Sequence, residues 1–390
     1  MLQPTLILPT KDEVKKMISE GQPLNSNSTL VAGSRTFAGP ISQLPEIMAR
    51  AVREMYAFLR GLDEAEDGDI NPYYKKLGLH KIAFLGSELT NPELTKTGLE
   101  SLISGELPEV TQILLSGADP SKVPFINSFG TGLVLRDAYQ LPLEVRKIIG
   151  NSIVHMSTGM MRALGDGGIK TEEDLKKYIY YVAGLVGGST AQLFNLLYRS
   201  PPTTKKRLDE ELAIGLGEFL QLTNITSNMK ADFNARTASE RSRLVFIPEE
   251  YIRAEGVTIE DLFNTDDLNY SLARANILNR LWNLAQPERD KGLEYLKSIT
   301  EKDEDSARYK LFCTLPFVFA VRNWELMLRS GADKVFEGKR INTNINEEDV
   351  KSLTNYFTEK AMRPDDYLDR MLESFTRNPN LYDIPQKIEP

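Results

Sequence analysis

Cysteine is nearly missing from this chain of 390 residues, which carries only Cys313. A single thiol excludes an internal disulfide framework and suits a reducing compartment. Histidine is almost as scarce: His80 and His155 are the only two. That argues against a histidine-built zinc site and against a Ser-His-Asp triad. No run of residues approaches the ~20 apolar positions that a bilayer-spanning helix requires. The apolar start, Met1 to Pro9, is too short and too broken by proline for a secretory signal, so the expectation is a cytoplasmic protein with no membrane anchor. Basic residues are outnumbered, 47 Lys and Arg against 55 Asp and Glu, for a net charge of −8. An acidic chain disfavours nucleic acid as a general partner. Alternating strand-like runs are few, no βαβ rhythm appears, and there is neither an internal repeat nor a low-complexity tract.

What the chain does have is helical periodicity. With 41% hydrophobic residues it can bury a large core. Over 43–62, Leu44, Ile47, Met48, Ala51, Met55, Phe58 and Leu59 recur at helical spacing. Similar patterns lie at about 143–165, 172–199, 205–232, 269–299, 303–330 and 347–376. The predicted fold class is all-α, a bundle of long helices around a central apolar cavity. Three parts are expected: an N-terminal extension over 1–33, a catalytic domain over 34–332, and C-terminal helices and tail over 333–390 packed on that domain. The longest irregular stretch is about 233–258, where Arg236, Arg241 and Arg243 precede Phe246-Ile247-Pro248. It reads equally as a flap that closes over a site and as a solvated loop.

Two polar clusters carry the chemistry. In the first, Asp63-Glu64-Ala65-Glu66-Asp67 follows Phe58-Leu59-Arg60-Gly61-Leu62. Asp63, Glu66 and Asp67 share one helix face, since 3.6 residues make a turn. Mg²⁺ takes one or two carboxylates and completes its octahedron with water and phosphate oxygens, and Arg60 lies one turn earlier, placed to contact a diphosphate or orient a carboxylate. A solvated acidic helix end, with Glu64, Asp67 and Asp69 in water, explains the same pattern. In the second cluster, Asn224, Asn228 and Asp232 align over two turns after Phe219-Leu220-Gln221-Leu222, with Lys230 in the same segment. Two amides and one carboxylate hold Mg²⁺ more weakly than three carboxylates. Taken alone the segment reads first as a polar stripe on an amphipathic helix, and its pairing with the first cluster is what supports a metal site. Gly184, Gly187 and Gly188 fall within five residues of a helical segment, at a cost of about 1 kcal/mol each relative to Ala. They imply close helix packing or room for a ligand. Gly130-Thr131-Gly132 lacks the third glycine and the preceding strand of a nucleotide loop.

These stretches resemble the squalene and phytoene synthase family of isoprenoid diphosphate enzymes. Ser34-Arg35-Thr36-Phe37-Ala38 resembles its Ser-Arg-Ser-Phe-Ala opening, and Leu59 to Asp67 its first Asp-rich motif. Tyr178 to Gly187 is similar to its Tyr-x-x-Tyr-Val-Ala-Gly-Leu-Val-Gly helix. Phe219 to Ile225 is similar to the approach to its second Asp-rich motif, and Phe312-Cys313-Thr314-Leu315-Pro316 to its pocket-lining Phe-Cys-Ala-Ile-Pro. The matches run in order over about 34–320. The second motif departs from the family's Asp-x-x-Glu-Asp, with Asn228, Ala231 and Asp232 at those positions. Ser227 replaces the preceding Arg, and Phe317 the Gln after the pocket proline.

The resemblance implies an all-α isoprenoid-synthase fold, Mg²⁺ as cofactor, and prenyl diphosphates as substrates. Metal ligands would be Asp63, Glu66, Asp67, Asn224, Asn228 and Asp232. Lys230, Arg60 and Tyr178 would act on the reacting groups, and Arg35, Phe37, Tyr181, Gln221, Phe312 and Phe317 would contact substrate. Loss of two carboxylates from the second motif points to ionisation of a single farnesyl diphosphate. The product would then be a humulene-type sesquiterpene plus pyrophosphate, as in the fungal squalene-synthase-like cyclases. Head-to-head condensation of two prenyl diphosphates and non-catalytic binding of a prenyl lipid are the rival expectations.

Overall fold

The computed structural model describes residues 4–34, 37–165, 168–200, 206–238, 245–300 and 303–338, with side chains given up to Asn234 in the fourth stretch. Among these residues all regular structure is helical. Short helices α1 (Lys11–Ser19), α2 (Ser26–Gly33) and α3 (Ala38–Gln43) lead into α4 (Glu46–Asp67). Then come α5 (Pro72–Leu89), α6 (Lys96–Ser116), α7 (Val123–Gly130), α8 (Leu133–Tyr139) and α9 (Leu143–Gly165). Helix α10 (Glu172–Ile179) runs through a π-helical turn, Tyr180–Gly184, into α11 (Leu185–Tyr198). The described residues close with α12 (Glu210–Ala238), α13 (Glu249–Ala254), α14 (Ile259–Phe263), α15 (Ser271–Ser298), α16 (Glu304–Ser330) and α17 (Ala332–Glu337).

Local chemistry sets the ends. Thr10, Thr171 and Thr258 each close a capping box onto an acidic residue three positions on. Asn71 caps α5, with Pro72 at its first position. The predicted helix over 143–165 has those same bounds. The helix predicted over 205–232 continues to Ala238, and Glu249–Ala254 is helical too, so the irregular stretch is shorter than 233–258. Gly130-Thr131-Gly132 is a helix junction, with Gly132 at φ 77°. The pattern over 347–376, and most of the 333–390 segment, lie outside the described residues.

Helix α4 packs on α5 and α9, and α5 lies along α9. Helix α12 lies between α11 and α15 and also meets α16 and α17. Helix α11 touches both α4 and α12, whereas α4 and α12 do not pack closely on each other. The glycines explain the tight α11–α12 crossing. A Cβ on Gly187 would sit 2.2 Å from the Ala213 carbonyl oxygen, and one on Gly217 equally close to that of Ala183. The expectation about membranes needs correcting at α16, which is long and apolar enough to cross a bilayer. Its apolar window is 67% buried within the fold, so here it serves as a core helix.

Candidate active site

The last two turns of α4 form the acidic end of the site. Asp63 sits deep enough that burial pushes its carboxyl up to about 7, with Arg60 opposing and Asp67 and Glu64 adding to the rise. Yet 37% of its side chain remains reachable by solvent. Its surroundings desolvate the carboxyl while part of it stays open to solvent. Asp67, one turn on, is exposed. Glu66 is buried, and burial and the charge of Asp67 raise it to about 8. Its Oε2 accepts the Tyr178 hydroxyl at 2.9 Å, while Oε1 has no partner. Burial and the neighbouring carboxylates hold the Tyr178 phenol far above its usual range, so it stays a donor.

Glu64 is not in water, as an acidic helix end would have it; it is 7% exposed and pairs with Arg60. Arg60 Nη1 reaches Asp63 Oδ2 at 3.4 Å, and Lys122 Nζ approaches Glu64 at 3.8 Å. Two cations thus border the Asp63 carboxylate, both drawn to the buried Glu64. Sequence reasoning missed Lys122; it noted Arg60 but not its i, i+4 partner Glu64.

Tyr178 is covered by Phe246, whose ring stacks on it with centroids 4.7 Å apart. The amides of Glu249 and Glu250 bond the carbonyls of Ile169 and Lys170, fixing the following segment beside α10. Phe246 lies in the stretch read as flap or loop, and that part of it packs on the site. Residues 239–244, with Arg241 and Arg243, lie outside the described residues, as does Arg35; the Arg236 side chain is likewise not described. Nearby, Ser34 Oγ accepts the amides of Phe37 and Ala38 at the start of α3. The half-buried Phe37 ring lies 6.2 Å from Tyr56.

The second cluster presents a weaker face. Asn224 and Asn228 are exposed on α12, and Asn228 Nδ2 donates to Asn224 Oδ1 at 2.8 Å. Asp232 and Gln221 are half-buried. Ser227 returns its hydroxyl to the Thr223 carbonyl. Lys230 corrects the expectation that it would meet a diphosphate. Two residues past Asn228 turn it about 200° around the helix. Its ammonium donates to the Phe263 carbonyl at 3.1 Å and lies over the rings of Phe233 and Phe263. Tyr181 also points elsewhere: its hydroxyl accepts Arg162 Nη1 at 3.0 Å, on an exposed flank. Phe317 is enclosed by Phe219, Leu216 and Gly292. Phe312 stacks on Tyr309, itself stacked on Phe194. The structure therefore gathers Arg60, Asp63, Glu66, Asp67 and Tyr178 and leaves Lys230, Tyr181 and Phe317 out of that group.

Among the described residues no three His, Cys, Asp or Glu side chains converge as metal ligands. The Asp63–Asp67 pair nonetheless fits Mg²⁺, which asks one or two carboxylates of a protein. Asp67 raises the cost of ionising Asp63, a repulsion that a cation removes. Asn224 and Asn228 offer neutral oxygens only, one already engaged.

A family model described as squalene/phytoene synthase matches residues 30–346. A squalene synthase of Schizosaccharomyces pombe is 30% identical over 52% of this chain and 40% of its own length. A Botryococcus braunii protein named squalene synthase LSS is 26% identical over 78% of this chain and 57% of its own. A Thermus thermophilus phytoene synthase is 35% identical over 31% of this chain and 36% of its own. The chain thus matches less than two thirds of each relative's length. Among solved structures, a complex of TcSQS with the ligand BPH1237 superposes with a TM-score of 0.61 at 20% identity, covering 94% of this chain and 97% of that one. The fold is accordingly the all-α isoprenoid-synthase type.

Proposed function

The chain belongs to the squalene/phytoene synthase family, and from that premise we propose that it ionises an allylic prenyl diphosphate at the Asp63–Asp67 face. The observation that carries this reading is a solvent-reachable carboxylate pair one helical turn apart, Asp63 and Asp67, with Arg60 3.4 Å from the first. Asp63 and Asp67 would hold Mg²⁺, whose charge offsets that developing on the departing pyrophosphate. Arg60 adds a fixed cation beside them, restrained by Glu64. Tyr178, locked on Glu66 and covered by Phe246, excludes water from the base of the motif. A dry aromatic wall suits an allylic cation.

The fate of that cation divides the reading. Names of the relatives support head-to-head condensation of two prenyl diphosphates more directly than cyclisation. A specific observation favours the second reading, cyclisation of one farnesyl diphosphate to a humulene-type sesquiterpene: the second face offers an amide pair bonded to itself, poorly equipped for another metal-bound diphosphate. The deciding experiment gives the purified protein farnesyl diphosphate and Mg²⁺, with and without NADPH, and reads products by gas chromatography and mass spectrometry. Condensation doubles the substrate's carbon number, and cyclisation preserves it. Intact substrate with no pyrophosphate released rejects both, and tight binding of a farnesyl thio-diphosphate in that case identifies a prenyl-lipid binder.

A further inference from the structure

Helix α4 ends badly for a helix. Asp63, Glu64, Glu66 and Asp67 crowd its last two turns, and no basic residue lies in the final one. Carboxylates at a C-terminus face the negative end of the helix dipole and repel one another. The C-cap, Gly68, satisfies only the Glu64 carbonyl, at 3.1 Å. Arg60 and Lys122 answer Asp63 and Glu64, and a further counter-charge comes from the next helix. Lys75, on α5 and 1% exposed, donates its ammonium to the Glu66 main-chain carbonyl.

A buried ammonium is costly unless its donors are satisfied, and a carboxylate-rich helix end is a place that repays it. The connection between the two helices is only Gly68 to Asn71, with Ile70 buried and the Asp69 amide bonded to the Gly117 carbonyl at 3.0 Å. Lys75 therefore ties the α4 terminus to a turn already fixed at both ends.

We infer that Lys75 is a positioning residue for the Asp63–Asp67 face, acting through the Glu66 main chain and never touching substrate. The inference rests on the reading of that face as the diphosphate site. Without the ammonium, the last turn of α4 frays under its own charge, and Asp67 loses its register with Asp63. The role is distinct from core packing, because the cost falls on metal-dependent binding and on one helix end.

The test uses full-length Lys75→Met, which keeps the length and removes the charge, and Lys75→Gln, which keeps a donor and removes the charge. Calorimetry measures pyrophosphate binding in saturating Mg²⁺, and hydrogen exchange follows residues 60–70 in metal-free protein. Both variants are expected to bind Mg²⁺-pyrophosphate at least tenfold more weakly, with faster exchange confined to 64–70. Unchanged affinity in the folded variants, or exchange accelerated evenly over the molecule, overturns the inference. Should the Met variant not fold, the Gln variant decides. A wild-type protein that binds no Mg²⁺-pyrophosphate rejects the proposed site itself; exchange at 64–70 then still decides whether Lys75 secures the end of α4.

Discussion

The Tyr178 hydroxyl donates to Glu66 Oε2 at 2.9 Å, joining the end of α10 to the acidic end of α4. The other Glu66 oxygen is buried without a partner, so this bond is the one side-chain hydrogen bond shown for the carboxyl. Tyr178→Phe is expected to destabilise the fold by about 1–3 kcal/mol, the cost of stranding a buried acceptor, measured by urea denaturation. It should also raise the titration of Glu66 further, because a hydrogen bond that favours the charged form is lost.

Metal-free stability is expected to fall as pH rises from about 5 to about 8. Asp63 and Glu66 are pushed up to about 7 and about 8 in the fold, against ordinary values of 3.8 and 4.5. Over that window the unfolded chain holds fewer protons than the folded one, so the slope of stability with pH is negative; it flattens once both groups ionise. Mg²⁺ needs ionised Asp63, so its apparent affinity should climb with pH towards 7 and then level off. Thermal melts and Mg²⁺ titrations in the presence of pyrophosphate at pH 6, 7 and 8 read both effects.

Lys230→Met should lower Tm while leaving kcat within about twofold. Its ammonium bonds the Phe263 carbonyl and rests on two aromatic rings, interactions worth about 1–3 kcal/mol together. A collapse of kcat in a well-folded variant would return Lys230 to the diphosphate.

Restoring the second motif by Asn228→Asp with Ala231→Glu should tighten Mg²⁺ binding. Both positions are exposed on α12, and carboxylates attract a hard cation more than amides do. The half-saturating Mg²⁺ concentration is expected to drop severalfold, with any change in product carbon number read in the same assay.

The periodic pattern made the long helices legible: 143–165 was bounded correctly because its apolar stripe and its ends coincide. Helices α5 to α8 were not, since glycine, proline and small polar residues blur the period there. At the site, spacing placed Asp63, Glu66 and Asp67 on one face but could not tell which were buried. Glu64 looked solvated because its i, i+4 pairing with Arg60 was overlooked and Lys122 meets it only in the fold. Lys230 was misplaced by nearness in sequence, where its angle around the helix governs its direction. Lys75 gave no signal at all, one lysine of a Lys-Lys pair whose burial depends on how α5 packs.

The glycine contacts between α11 and α12 have a mechanical consequence. Where main chain rests on main chain at Gly187 and Gly217, no side chain remains to yield, so the gap between these two helices has no adjustable spacer. Any widening between them must therefore shift α12 as a rigid rod, and α15, which lies along it, travels with it.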